Sequence, residues 1–249
     1  MNQNDLEKQM RLGECFHSIR VLPHAWTIVR VDGRSFSRFT ESRFAKPFDL
    51  AFSELMVTTA SALMTELNGV YGYTESDEIS ILLPRAWDLF GREVEKTVSV
   101  SAGIASAAFT EAYGQAAHFD SRLWVGAEDT DVVDYFRWRQ SDAGRCCLNG
   151  WVYWTLRQNG MGYEDATKAS EGRTKAWKHD TLMAHGINFN DLPSWQKRGL
   201  GLYWGEERKD GLNPITGESV PTVRRKLIVD REIPLHDRYS DFIAELLKP

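Results

Sequence analysis

Hydrophobic and polar positions alternate with two periods along this chain. AWTIVRV, Ala25 to Val31, is a nearly continuous apolar and β-branched run that predicts a buried strand, and it ends in the turn pair Asp32-Gly33. From Phe48 to Asn68 the apolar residues Phe52, Leu55, Met56, Leu63 and Leu67, with Thr59 among them, fall at helical spacing. Pro47 and Asp49 mark the start of that helix, and Asn68-Gly69 its end. Val70–Tyr73 and Ile79–Leu83 then read as two short strands joined by a tight turn. Leu89–Tyr113 reads as a second long helix. Its centre, SVSAGIASAA, is nearly all small residues and suits close packing on a sheet. A strand at Arg122–Val125 follows, and residues 4–14 ahead of the first strand form a short polar helix. Strand, helix, two strands, helix, strand is the order of a split βαβ, ferredoxin-like unit.

The second half has a different texture. Asp129–Gln140, Leu148–Gln158 and Glu164–His185 carry helical patterns, with Gly160 and Gly186 as stops. Leu200–Trp204 and Val223–Val229 predict a hairpin around the turn-rich KDGLNPITGES, and Asp237–Leu247 a last short helix. The fold expected is therefore α+β: an antiparallel sheet unit over residues 1–135, then a helical and hairpin region over 136–249. With no repeat or low-complexity linker between them, one compact unit is expected.

Composition narrows the class. With 249 residues, 42% hydrophobic and 26% charged, the chain is an ordinary globular protein, and no apolar run approaches the ~18 residues of a membrane span. The polar start, MNQNDLEKQMRLGE, lacks the apolar stretch of a signal peptide. A net charge of −5 announces no global basic field, so a nucleic-acid partner would need a local basic stripe. Cys15, Cys146 and Cys147 form neither a disulfide framework nor a zinc pattern, which fits a reducing cytoplasm. Cys146 reads as a small buried residue, and Trp138, Trp151 and Trp154 as core.

The candidate chemistry lies where the first three strands meet. Asp32 ends the first, and Asp77-Glu78 occupies the turn into the third. The split βαβ order sets these ends side by side. Carboxylates at the mouth of apolar strands cost desolvation energy unless something positive meets them. Two converging carboxylates suit magnesium, with waters and phosphate oxygens completing its shell, and the Gly33 carbonyl is a further oxygen. A pair of such ions can hold the attacking and leaving oxygens of a nucleotidyl transfer. Both segments are also the ordinary vocabulary of solvated turns, and spacing alone does not separate the two accounts. Arg92 and Lys96, four apart on the second helix, are positioned to hold a triphosphate, although an ion pair with Glu93 or Glu95 is the simpler account of them. Lys168, Lys175 and Lys178, with Arg173 off their line, and Arg224-Arg225-Lys226 are either phosphate contacts or solvated faces.

RVDGRSFSRFT (Arg30–Thr40), FAKPFD and YTESDEISILL together resemble the tRNA-His guanylyltransferase family, whose members extend RNA at its 5′ end. Phe119-Asp120-Ser121-Arg122 resembles the family's FDGR segment and DYFRWRQSD, Asp134–Asp142, its DYLxWRQxD segment. The resemblance spans nearly all of residues 20–205. The YTESDE form is similar to the bacterial and archaeal branch of 3′–5′ polymerases.

The resemblance implies a polymerase-like palm in which Asp32, the Gly33 carbonyl and Asp77 bind two magnesium ions, with Glu78 beside them as a catalytic residue. It implies a nucleotide site lined by Asp32, Gly33, Arg34, Ser35, Phe36, Ser37, Ser76 and Asp77, with Lys46 and Asp49 nearby and Arg92, Lys96 and Lys178 on the triphosphate. It further implies ATP and GTP as substrates, tRNA as partner, a homotetramer, and up to three steps: activation of a 5′-monophosphate, attack by an NTP 3′-hydroxyl, and removal of pyrophosphate. Two departures stand out. Ser37 replaces the family's His, and Gly144-Arg145-Cys146-Cys147-Leu148-Asn149-Gly150 replaces its HINNLYN loop, which helps the eukaryotic enzymes read the tRNA-His anticodon. The second departure fits the branch that repairs 5′-truncated tRNA. Two rival readings use the same residues: a nucleotide cyclase or oligonucleotide-signal synthase acting on NTP alone, and a non-catalytic RNA-binding module.

Overall fold

The computed structural model describes residues 3–212 and 219–248. A polar helix α1 (Gln3–Arg11) precedes strand β1 (Trp26–Gly33), a short α2 (Phe36–Glu41) and α3 (Leu50–Glu66). Strands β2 (Tyr71–Glu75) and β3 (Glu78–Leu82) lead to α4 (Val94–Tyr113) and β4 (Phe119–Gly126). The second half holds α5 (Asp129–Gln158), α6 (Tyr163–Ser170), α7 (Lys175–Ala184), α8 (Ser194–Arg198), β5 (Leu200–Leu212), β6 (Ser219–Asp230) and α9 (Asp237–Leu246). Residues 213–218 of the expected hairpin turn lie outside the described residues.

The six strands form one antiparallel sheet in the order β4-β1-β3-β2-β5-β6. The first four positions are the ferredoxin-like arrangement, and the hairpin extends that same sheet from β2. β1 reads as a continuous apolar run because both its faces are covered. Val29 and Val31 join Met56, Leu63, Ile81 and Phe109 under α3 and α4. Ile28 joins Tyr71, Leu82, Phe136 and Tyr239 under α5 and α9. The small residues of α4 lie against the sheet as expected: Thr97, Ser101, Ala105 and Phe109 are buried at four-residue spacing, and Ser101 Oγ lies 2.8 Å from Ser121 Oγ of β4.

Three boundaries differ from the sequence reading. The second long helix begins at Val94, not Leu89. Phe90, Gly91 and Arg92 take left-handed backbone angles, because this segment pairs with the chain ahead of β1 through Val21 N–H to Arg92 O at 3.0 Å and Val94 N–H to Ile19 O at 2.9 Å. The helices expected at Asp129–Gln140 and Leu148–Gln158 are one. Buried Val132, Phe136, Gln140, Ala143, Cys147 and Val152 continue a single stripe through the glycines. That stripe buries Cys147 and leaves Cys146 exposed, and Trp138 is 51% exposed rather than core. The helix expected at Glu164–His185 is split. Gly172 is left-handed and Thr174 caps α7 by accepting from Trp177 N–H at 3.2 Å. Lys168 therefore shares no helix face with Lys175 and Lys178.

Candidate active site

The turn between β2 and β3 is two residues long, Ser76-Asp77, closed by the Glu75–Glu78 pair. Ser76 takes the left-handed position usually given to glycine, and its hydroxyl donates to Asp77 Oδ1 at 3.0 Å. Asp77 is thereby aimed beside the end of β1, where Gly33 N–H donates to Asp77 O at 3.1 Å. Asp32 sits in register with Glu78 on one side and Asp120 on the other. Gly33 is required by packing: a Cβ there would lie 2.5 Å from the buried Phe36 ring, the centre of a cluster with Phe39, Phe52, Phe109 and Phe119.

Electrostatics mark Asp32 and Asp77 as a pair in want of a cation. Burial, reinforced by Asp32, pushes the Asp77 carboxyl up to about 6. Burial followed by Asp120 raises Asp32. No ion pair to either is present among the described side chains. No cluster of three or more His, Cys, Asp or Glu side chains forms a protein cage there either. Two carboxylates and a backbone carbonyl fit magnesium, which keeps waters and takes substrate phosphate oxygens.

Glu78 is placed differently. Its carboxylate meets Arg139 Nε at 2.7 Å and Arg30 Nε at 3.8 Å. Arg139 also holds Asp142 at 3.2 Å. Glu78 thus joins the sheet to α5 beneath the carboxylate pair.

Beside Ser76 and Asp77 opens a cavity of about 550 Å³. Phe36, Ser37, Lys46 and Asp49 line it, as the sequence suggests, together with Glu75, Tyr153, Trp154 and Tyr163, which sequence reasoning misses as site residues. Lys46 Nζ lies 2.6 Å from Thr40 Oγ1 and 5.9 Å from the Trp154 ring centroid. Burial lowers its pKa against the pull of Glu41, Asp77 and Asp49. Burial pushes Glu75 up to about 8, against Arg139. Arg34 and Ser35 are exposed in the turn from β1 to α2.

Asp49 is fully engaged by backbone. It accepts from Ala51 N–H at 2.7 Å and Phe52 N–H at 3.2 Å as the cap of α3, and from Ala45 N–H at 2.7 Å. Asp49→Ala is expected to cost about 1–2 kcal/mol in urea denaturation, with Asp49→Asn retaining most of the stability.

The structure does not bring Arg92 and Lys96 to this site within one chain. The backbone bridge between Arg20 and Glu93 ties them to the start of β1, about 20 Å along the strand from Asp32. Lys96 pairs with Glu93 at 3.3 Å. Lys178 lies on α7, where its amine donates to Asn149 of α5 at 2.8 Å.

The profile described as tRNAHis guanylyltransferase matches residues 7–131, and its companion, Thg1 C terminal domain, residues 130–234. The probable tRNA(His) guanylyltransferase of Bos taurus is 30% identical over 86% of this chain and 78% of its own length. The Debaryomyces hansenii tRNA(His) guanylyltransferase is 32% identical over 84% and 86%. The structure of a bacterial tRNA(His) guanylyltransferase (Thg1)-like protein in complex with ATP superposes with a TM-score of 0.77 at 27% identity, covering 98% of this chain and 99% of that one. The Saccharomyces cerevisiae enzyme gives 0.68 at 26%, covering 74% and 87%. Matched by the family models over residues 7–234, the chain belongs to the tRNA-His guanylyltransferase family.

Proposed function

We propose that this chain is a magnesium-dependent nucleotidyltransferase that adds nucleotides to the 5′ end of tRNA, repairing 5′-truncated molecules. The observation that carries this reading is the juxtaposition of Asp32 and Asp77 on a palm-like sheet, with Asp77 lining a nucleoside-sized cavity. The relatives' activity and the ATP and GTP complexes of the bacterial Thg1-like protein support it.

In this reading the NTP lies in the cavity, its base against the aromatic wall of Tyr153 and Trp154 and its phosphates toward Lys46 and Ser76. Asp32, Asp77 and the Gly33 carbonyl would hold two magnesium ions. When bound, these ions lower the pKa of the 3′-hydroxyl and offset charge on the leaving group. The NTP 3′-oxygen bonds to the 5′-phosphorus of the activated RNA. The bond from that phosphorus to AMP or pyrophosphate breaks, and the hydroxyl proton passes to solvent. Ser37 and Glu75 face the same cavity and are placed to set base preference. Glu78 acts as a positioning residue.

Among the described residues no helix is long and apolar enough to cross a membrane. Three free cysteines and a tRNA substrate suit the cytoplasm. The exposed Leu6, Met10, Leu12, Phe16, Ile19 and Leu22 of the N-terminal segment suit burial between copies of a homotetramer.

Product analysis with labelled NTP, with and without tRNA, tests the proposal. Label entering tRNA supports it. Small cyclic or oligonucleotide products from NTP alone would replace it with a cyclase or synthase.

A further inference from the structure

The carboxylate pair has two sides. Asp77 faces the cavity that suits a single NTP. Asp32 lies on the other side, among residues the proposed nucleotide site leaves unused. Registered neighbours project on the same face of a sheet, so Asp32 lies beside Asp120, and Arg30 beside Arg122. β4 is the edge of the sheet, and no strand covers it among the described residues. Arg122 is 51% exposed and bonds Asp120 at 2.8 Å. Above Arg30, Trp138 of α5 presents an exposed indole, with the two guanidinium carbons of Arg30 and Arg139 at 5.7 and 4.6 Å from its ring. Arg30 Nε is buried and makes no hydrogen bond closer than its 3.8 Å ion pair with Glu78. The half-exposed indole is flanked by cations, one of them, Arg30, two residues along β1 from Asp32. It has the makeup of a stacking platform for nucleic acid.

In-line transfer sets the NTP 3′-oxygen and the leaving group on opposite sides of the RNA 5′-phosphorus, and a duplex end is too large to share the cavity with an NTP, so the RNA reaches the carboxylate pair from outside the cavity. We infer that the open strip of Trp138, Arg30 and Arg122 receives the 5′ end of the RNA. The indole caps the terminal base or base pair, and the Arg122 guanidinium exchanges Asp120 for the RNA backbone near the 5′-phosphate. This rests on the 5′-addition reading above. The occupant is an RNA end because the exposed Arg122 can exchange its surface carboxylate for phosphate beside an exposed indole, and because β1 carries the strip from Arg30 to Asp32.

Two variants on the exposed strip test the inference with tRNA lacking its 5′ nucleotide. Trp138→Ala is expected to raise KM for that RNA about tenfold, and Trp138→Phe to recover most of it. Arg122→Gln is expected to weaken RNA binding and to lower its salt slope by about one. The Kd for NTP measured without RNA stays within twofold of wild type in both, which reports an intact cavity. RNA affinity within twofold of wild type in both variants would overturn the inference. A change of oligomeric state with unchanged RNA affinity would assign the strip to a contact between copies instead. If wild-type protein adds nothing to any RNA, the activity reading falls, and retention of labelled tRNA on a filter still decides the strip by itself. Arg122→Gln, an exposed conservative change, carries the test should Trp138→Ala fold poorly.

Discussion

Asp77→Ala is expected to lower nucleotide addition by more than about 100-fold, because even partners one shell beyond a metal ligand are worth 10–100-fold. The fold should survive. Asp77 caps no helix, and among the described residues its side chain bonds within the turn, to Ser76 and its own backbone. Its carboxyl is raised from the ordinary aspartate value to about 6 by burial and by Asp32. A group raised in the folded state favours folding fully below its unfolded pKa, and that contribution is lost as pH rises through the folded value. Without metal, Asp77→Asn should therefore melt higher than wild type at pH 7.5, with the difference shrinking below pH 6 as the wild-type carboxyl takes its proton. With magnesium and NTP present the order should reverse. Thermal melts in the four conditions check this, and a variant that keeps wild-type turnover would remove Asp77 from the reaction.

Arg139→Ala should be the most damaging change away from the metal ligands. It strips the closest partner from the half-buried Glu78, and leaving one member of a fully buried ion pair alone typically costs 3–5 kcal/mol, an upper bound here. Arg30 remains 3.8 Å away, which places the expected loss near the lower end, at about 3 kcal/mol. The double variant Arg139→Ala with Glu78→Gln should recover part of this, because no uncompensated charge is left. Urea denaturation of the two single variants and the double variant measures the coupling. Additive losses would show that Arg139 and Glu78 act separately. Activity should fall with Arg139→Ala as well, since Glu78 is the strand neighbour of Asp32.

Some of the site is legible in the sequence and some is not. Asp32 and Asp77 were readable because turn residues and the split βαβ order fix where strand ends lie, whatever packs around them. Arg92 and Lys96 stand away from Asp32 within one chain for a long-range reason. The left-handed turn at Phe90–Arg92 arises from pairing with residues 19–21, which no local spacing reveals. Tyr153, Trp154 and Tyr163 depend on α5 running unbroken through Gly144–Gly150 and on α6 docking against it, so no local pattern marks them as cavity wall. Cys146 and Cys147 differ by one position, which is about 100° of helix and the whole difference between solvent and core. Glu75 had a signal that was passed over. YTESDE places three carboxylates within four residues, and Glu75 is the cross-strand partner of Glu78.

The central claim is that Asp32 and Asp77 join an NTP to the 5′ end of tRNA. The most direct measurement incubates a tRNA lacking its 5′ nucleotide, bearing a mono- or triphosphate, with magnesium and all four NTPs, and reads the product on a sequencing gel beside Asp77→Ala. The account predicts extension by the nucleotide that restores the missing base pair, stopping there, with none from the variant. Absence of extension on every tRNA, or equal extension by Asp77→Ala, would contradict it.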